Sequence, residues 1–221
     1  MKIAVPIRED RITDIKRRLK AVDRAADFVE IWLDTIPPEK YSEIIELAHL
    51  SVIAVCKASN ERGKFKGSEK ERIESLLTAA HAGAKFVDCG LHTSPALITY
   101  LRKNLPKRTK LIISHHDWKE TSSIGALEKI VARAEKRGAD IIKIATSVRS
   151  WADNVTLFEL TRRAAARGIK IIVVGMGDKG RLSRLGCPLL GSYLTYVAST
   201  PKQATAPGQI TLREWNEWRN K

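Results

Sequence analysis

Lys143 interrupts the apolar run Ile141-Ile142-Lys143-Ile144-Ala145, which Gly138-Ala139-Asp140 precedes. A short β-branched run behind a glycine turn reads as a buried strand. Burial disfavours an ammonium and lowers a lysine pKa, so an amine here is expected to be partly neutral near pH 7. A neutral amine attacks carbonyls and can form a Schiff base. The competing reading is a lysine that snorkels to water or pairs with a carboxylate. The residues that accompany it decide between the two.

Imine chemistry needs a base for the acidified α-proton, an acid for the leaving group, and a donor for an anionic substrate. His116, in Ile113-Ser114-His115-His116-Asp117, supplies the first two, because histidine titrates near neutrality. Its neighbour His115 alternates to the other side of the strand. Glu61 is a candidate to hydrogen-bond one imidazole nitrogen and set its tautomer. Arg184 offers a planar fork that matches a carboxylate, and Gln209 adds a hydrogen bond to the same group. Glu30, Asp34, Lys57 and Asp88 fall in or just beyond strand-like runs. Taken singly, Asp34 and Asp88 serve equally well as loop caps, and Glu30 as a half-buried carboxylate. Ser192 suits packing or substrate binding. The glycine pair in Gly175-Met176-Gly177 is too short to mark a phosphate loop.

These groups need a scaffold, and the chain alternates strand and helix to its end. Strands are expected at Lys2–Pro6, Phe28–Leu33, Ser51–Cys56, Lys85–Cys89, Lys110–Ser114, Asp140–Ala145, Lys170–Val174 and Leu190–Val197. Helical periodicity fills most gaps, as in Ile12, Ile15, Leu19 and Val22, or Leu127, Ile130, Val131 and Ala134. Gly83, Gly138 and Gly168 each stand where a helix should end before a strand. After the seventh strand, Arg181–Leu185 has room for only a brief helix. Leu212–Arg219 reads as a last helix whose Trp215 and Trp218 pack on the barrel or a partner. Alternation without a linker predicts one α/β domain over 1–221, a closed parallel (β/α)8 TIM barrel. An open doubly wound sheet is second choice, because Pro6-Ile7-Arg8-Glu9 follows the first strand where a glycine fingerprint would stand.

Composition narrows the function. The balance of 39 basic against 25 acidic residues gives +14. The basic residues are spread over helix faces, with no zinc-finger spacing, basic arm or aromatic RNA-binding strand, so no nucleic-acid partner is expected. Such a surface still attracts anionic substrates. No segment reaches the roughly 18–20 apolar residues of a membrane span, so no membrane partner is expected. The N-terminus lacks the apolar stretch of a signal peptide. Three cysteines without a CxxC pair argue against a disulfide framework or zinc site and suit a reducing, cytoplasmic setting.

Five motifs carry a family resemblance. Val29-Glu30-Ile31-Trp32-Leu33-Asp34, Ile113-Ser114-His115-His116-Asp117, Ile142-Lys143-Ile144-Ala145, Leu182-Ser183-Arg184-Leu185 and Ala206-Pro207-Gly208-Gln209 resemble type I 3-dehydroquinate dehydratase, in that family's order. Gly191-Ser192-Tyr193-Leu194-Thr195 is similar to its eighth strand, and the likeness runs from Ile3 to about Gln209. The resemblance implies a metal-free, cofactor-free lyase of the shikimate pathway, acting on a small-molecule carboxylate and often a homodimer. It implies that Lys143 forms an imine with the C3 ketone of 3-dehydroquinate. His116 would remove a C2 proton and then protonate the departing C1 hydroxyl, giving syn elimination to 3-dehydroshikimate. Glu61 would support His116. Arg184 and Gln209 would clamp the carboxylate, with Thr205 where the family usually has serine. Glu30 would contact substrate hydroxyls. The family usually has arginine where Trp32 and Lys57 stand, and often an acidic residue at Gly90; Lys57 keeps the charge without the fork. Glu61-Arg62-Gly63 stands for the usual Glu-Gly-Gly. Two other functions stay open on the sequence: a Schiff-base aldolase-like barrel with another substrate, and a non-catalytic barrel that binds RNA or a protein through its basic surface.

Overall fold

Alternate residues of each strand enter one of two cores, and that alternation places the site. In the computed structural model, which describes residues 1–23 and 25–220, the first half of the chain forms β1 (Ile3–Ile7), α1 (Ile12–Val22), β2 (Phe28–Trp32), α2 (Tyr41–Glu46), β3 (Ser51–Val55), α3 (Glu69–His81), β4 (Phe86–Gly90) and α4 (Pro95–Asn104). The second half forms β5 (Lys110–Asp117), α5 (Ile124–Lys136), β6 (Ile141–Ser147), α6 (Trp151–Ala166), β7 (Ile171–Met176), α7 (Arg181–Leu189), β8 (Thr195–Tyr196) and α8 (Leu212–Arg219). Hydrogen-bonded neighbours run β7-β6-β5-β4-β3-β2-β1-β8, every pair parallel. This is the (β/α)8 barrel that the alternation predicts.

The remaining seam closes differently from a strand ladder. Tyr193 N–H donates to the Ile171 carbonyl at 2.7 Å. Ser192 Oγ accepts from Val173 N–H at 3.2 Å and donates to the Leu194 carbonyl at 3.0 Å. Ser192 is therefore a closing residue of the barrel, committed to backbone. It also explains why β8 is much shorter than the expected Leu190–Val197: its first residues turn to meet β7. The brief helix expected at Arg181–Leu185 extends to Leu189 and carries Pro188 in its last turn.

Val29 and Ile31 of β2, and Ile142 and Ile144 of β6, face the helices in one core. Phe28, Trp32, Ile141 and Ala145 belong to a second core inside the barrel. Glu30 and Lys143 share the inward parity. The barrel floor is aromatic, with Phe28 and Phe86 edge to face at 5.6 Å and Tyr193 beside both. Ile53, Ile112 and Ile172 are fully buried there, each contributing about 1.5–3 kcal/mol. Polar residues sit one pleat above this plug, on its C-terminal side.

Local signals agree with the elements. Ser68 with Glu71, Ser150 with Asp153 and Thr211 with Glu214 form reciprocal capping boxes on α3, α6 and α8. Gly83, Gly138 and Gly168 take φ of 114°, 80° and 71° just past their helices, a conformation that costs a side chain energy. Trp215 is fully buried against the barrel, its ring 5.1 Å from that of Trp218. The three cysteines are free and buried. Among the described residues no helix is long and apolar enough to cross a membrane.

Candidate active site

Two lysines and three carboxylates interlock at the C-terminal end of the barrel. Lys143 Nζ donates to Glu30 Oε2 and to Asp88 Oδ2, each at 3.0 Å. Lys57 Nζ donates to Asp88 Oδ1 at 2.9 Å, to Ser114 Oγ at 3.1 Å and to Glu61 Oε1 at 3.2 Å. Ser114 Oγ adds a 2.5 Å hydrogen bond to Asp88 Oδ1. Asp88 is the hub, shared by both ammonium groups on separate oxygens.

This arrangement reverses the charge expected for Lys143. Burial alone would lower its pKa, and Lys143 is only 6% exposed. Asp88 and Glu30 outweigh burial and hold the ammonium well above the ordinary lysine range. At 3 Å and an effective dielectric of about 20, each attraction is about 5 kcal/mol, against a desolvation penalty of several kcal/mol. The resting amine is protonated. Lys57 is raised likewise by Asp88 and Glu61 against the pull of burial. Burial would raise Asp88, but Lys143 and Lys57 hold it far below the carboxylate range. The Lys143 ammonium also lies 4.4 Å from the Tyr196 ring centroid, a cation–π contact.

His116 lines the same cavity as Lys143 and Glu30. It lies in register with Ala145, two residues beyond the Ser114–Lys143 pairing. Burial, reinforced by the positive charges of Lys57 and Lys143, lowers its pKa despite Asp88 and Glu61. Its imidazole keeps some exposure to the cavity. Near neutral pH it is therefore uncharged and can act as a base. His115 does not line that cavity; with His92 and Arg133 it lines an adjoining one, which His116 also borders.

Across the cavity, Arg184 is 1% exposed. Its Nη2 donates weakly to the Pro207 carbonyl at 3.4 Å, and its buried Nε has no partner. Burial, and then the charge of Arg181, pushes its pKa down to about 9. Gln209 Oε1 accepts from Thr205 N–H at 2.8 Å and from Thr205 Oγ1 at 3.4 Å, which leaves the Gln209 amide NH2 free of that bond. An unpaired guanidinium beside an amide donor is shaped for a carboxylate.

The expected site residues divide into two groups. Glu30, Glu61, His116, Lys143, Arg184, Thr205 and Gln209 all line one cavity. Lys57 does not line it. It is 3% exposed and consumed by Asp88, Glu61 and Ser114, so it neutralises the charged layer without reaching the cavity. Glu61 reaches that cavity wall without the expected hydrogen bond to His116. Its carboxylate lies 3.2 Å from Lys57, 3.5 Å from His92 and 3.7 Å from Arg72. Burial would raise Glu61, but Lys57, His92 and Arg72 lower its pKa to about 2. Glu30 spends one oxygen on Lys143 and the other on Trp32 Nε1, at 3.0 Å. Trp32 thus orients Glu30. At Gly90 a Cβ would lie 2.4 Å from the His92 ring and 2.8 Å from Glu61 Oε1, so a side chain there would have to displace His92 and Glu61.

Asp88, which the sequence left open between a loop cap and a site residue, is the hub of the charged layer, and Ser114, Tyr196 and Trp118 are residues to which sequence reasoning gave no role. Inward parity on β4 and β5 could have flagged Asp88 and Ser114. Nothing local singles out Tyr196 or Trp118. Among the described residues no group of three or more His, Cys, Asp and Glu side chains could hold a metal ion.

The chain as a whole has well-matched relatives. A sequence profile described as type I 3-dehydroquinase matches residues 3–220. A 3-dehydroquinate dehydratase of Desulfotalea psychrophila is 35% identical over 190 residues, covering 86% of this chain and 84% of that protein. The crystal structure of 3-dehydroquinate dehydratase from Aquifex aeolicus VF5 superposes with a TM-score of 0.82 at 28% identity, over 100% of this chain and 98% of that one. The type I 3-dehydroquinate dehydratase of Clostridium difficile, solved with covalent modified comenic acid, superposes with a TM-score of 0.88 at 26% identity, over 99% of this chain and 90% of that one.

Proposed function

The chain belongs to the type I 3-dehydroquinase family, and from that premise we propose that it dehydrates 3-dehydroquinate to 3-dehydroshikimate through an imine on Lys143. One observation carries the reading. An amine between two carboxylates, an uncharged imidazole and an unpaired guanidinium all wall one cavity.

Arg184 and the Gln209 amide hold the substrate carboxylate, which fixes the ring over Lys143. The resting ammonium must first lose a proton, and neutral His116 is the available acceptor on the same wall. The freed amine adds to the C3 ketone and expels water to give a protonated imine. Here the carboxylates that work against nucleophilicity become useful. The iminium keeps the positive charge of the ammonium, so Glu30 and Asp88 stabilise it in the same way. That cation draws electrons from C2. His116, neutral again after releasing the first proton to the departing water, removes a C2 proton and leaves an enamine. The enamine expels the C1 hydroxyl, to which the same imidazolium returns the proton. Water then hydrolyses the imine and frees Lys143. Glu61, on the cavity wall with an Oε2 that makes no hydrogen bond but lies near His92 and Arg72, adds a negative charge that favours the imidazolium while it exists.

His116→Ala should lower turnover by at least about 10²-fold, as for loss of a general acid–base. A near-normal rate would move the role elsewhere. The lowered His116 pKa also sets a pH profile. The base works uncharged, so a lower pKa carries the active form to lower pH. The acid limb of kcat/KM should therefore lie below the ordinary histidine value of about 6.5. A limb at or above that value would contradict the charges assigned around the ring. The direct assay follows the enone absorbance of the product after mixing with 3-dehydroquinate. Turnover of an aldol substrate instead would favour the aldolase-like alternative.

The segment 199–209 has the anchors of a closing strap. Gly177 N–H donates to the Pro207 carbonyl at 3.0 Å, and Gly208, with φ of 70°, lies so close to Gly177 that a Cβ would be 2.0 Å from its oxygen. Hydrogen exchange in this segment should slow when a substrate carboxylate bridges Arg184 and Gln209. Unchanged exchange would remove the strap.

A further inference from the structure

Beside His116, in the wall of the same cavity, stands a stack that the chemistry above does not use. Trp118 follows β5 directly, and its ring lies 5.8 Å from the His116 ring with the planes 10° apart. The Arg62 guanidinium sits 3.9 Å from the Trp118 ring centroid. The Arg62 carbonyl accepts from Arg8 Nη2 at 2.7 Å, and the Arg8 guanidinium lies 4.5 Å from the Trp32 ring. Trp32 in turn orients Glu30, the partner of Lys143. Each proposed catalytic side of the cavity thus has a tryptophan beside it in the cavity wall, each tryptophan carries an arginine, and the two arginines are joined.

Arg62 holds its place at a cost. Among the described residues it is the one non-glycine residue with positive φ, at 63°. That conformation costs a side chain about 1–2 kcal/mol relative to glycine. The following Gly63 makes the turn possible, since a Cβ there would lie 1.8 Å from the Lys57 carbonyl oxygen. An exposed cation–π contact is worth about 0.5–1 kcal/mol, which does not by itself offset the strain. A side chain retained where glycine would be easier points to use at the site.

We propose that Trp118, held in place by Arg62, is a positioning residue for His116: it fixes the plane of the imidazole and keeps water from that side of the ring. This rests on the reading of His116 as the acid–base. The reasoning is geometric. A single histidine must reach a C2 proton and then a C1 oxygen, so its plane must be held through both transfers. A ring free to rotate loses that alignment, and a misplacement of about 1 Å can cost about 10²-fold in rate. The charged groups that act on the ring are Lys57 and Lys143, and Asp88 and Glu61 against them. His92, His115 and Arg133 line the adjoining cavity, which His116 and Trp118 also border. None of these contacts restrains the ring plane as a parallel indole does.

The test compares Trp118→Leu, Trp118→Phe and Arg62→Gly in the full chain. Trp118→Leu should lower kcat by about 10- to 100-fold, more than it raises KM. It should also move the acid limb of kcat/KM upward, because a wetter imidazole regains its ordinary affinity for protons. Trp118→Phe keeps a flat ring and should recover most of the rate. Arg62→Gly relieves the backbone, so Tm should hold or rise while kcat falls and the limb shifts the same way. Wild-type kcat and an unmoved limb in Trp118→Leu, or wild-type kcat in Arg62→Gly, would overturn the proposal. If Trp118→Leu does not fold, the other two variants decide. Ring 15N titration of His116 without substrate separates this idea from the proposed reaction. A His116 pKa that rises in Trp118→Leu supports the stack even if the wild-type protein leaves 3-dehydroquinate untouched. An unchanged titration overturns the stack even if dehydration is fast.

Discussion

Lys143→Ala should be inactive, with turnover lower by about 10⁵-fold or more, as for loss of other covalent nucleophiles. Borohydride added with 3-dehydroquinate should reduce the imine and leave a stable mass increment on Lys143 of the wild-type protein. The alanine variant should take up none, and labelling that survives there would defeat the assignment. Loss of activity has a second possible cause, because the substitution removes one of two ammonium groups from a layer holding Glu30, Asp88 and Glu61. Breaking a buried pair costs about 3–5 kcal/mol. The control is His116→Ala, which keeps both lysines. It should still be trapped by borohydride, but more slowly than wild type, since His116 also takes the ammonium proton that imine formation must release. A folded His116→Ala protein that is trapped at the wild-type rate would move that proton transfer away from His116.

Arg184→Met should make the substrate-free protein more stable and a much poorer enzyme. Among the described residues Arg184 has no carboxylate within ion-pair distance, although it is 1% exposed and its Nε lacks any partner. Its pKa falls to about 9 through burial and then through Arg181. The folded value lies below the unfolded one, so the charged side chain destabilises the native state at every pH below about 9. Methionine removes that burden. A gain of about 1–4 kcal/mol is expected by analogy with apolar replacement of buried charges, or roughly 2–4 °C in Tm per kcal/mol for a chain of this size. Loss of a desolvated charge contact to the substrate costs about 2–5 kcal/mol. At 1.36 kcal/mol per decade, kcat/KM should fall by about 30- to 5,000-fold. A substrate carboxylate should raise the Tm of the wild-type protein and not of the variant. A variant that is less stable than wild type and binds substrate equally well would show that Arg184 is a packing residue.

The two predictions draw on different sources. Alternation of side chains along β2, β5 and β6 places Glu30, His116 and Lys143 inside a barrel, and that alternation is legible in runs such as Ile141-Ile142-Lys143-Ile144-Ala145. The barrel itself follows from the repeat of strand, helix and C-terminal glycine. Element boundaries were less legible. Nothing in Leu190–Val197 announces that Ser192 and Tyr193 would bond to β7 and leave β8 so short. Pro188 gives the sequence no reason to extend α7 past it, yet the helix reaches Leu189.

That Glu30, His116 and Lys143 face the cavity was thus decided by local sequence, because side-chain parity is a property of each strand alone. The charge those residues carry was decided by tertiary structure. Lys143 meets Glu30 and Asp88 across separations of 113 and 55 residues, and Lys57 meets Asp88 across 31. Electrostatic energy depends on the distance and on the medium between charges, and neither is written in a one-dimensional pattern. Burial read from the sequence argued for a neutral Lys143. Two carboxylates at 3.0 Å made it an ammonium, and the same barrel left Arg184 without any.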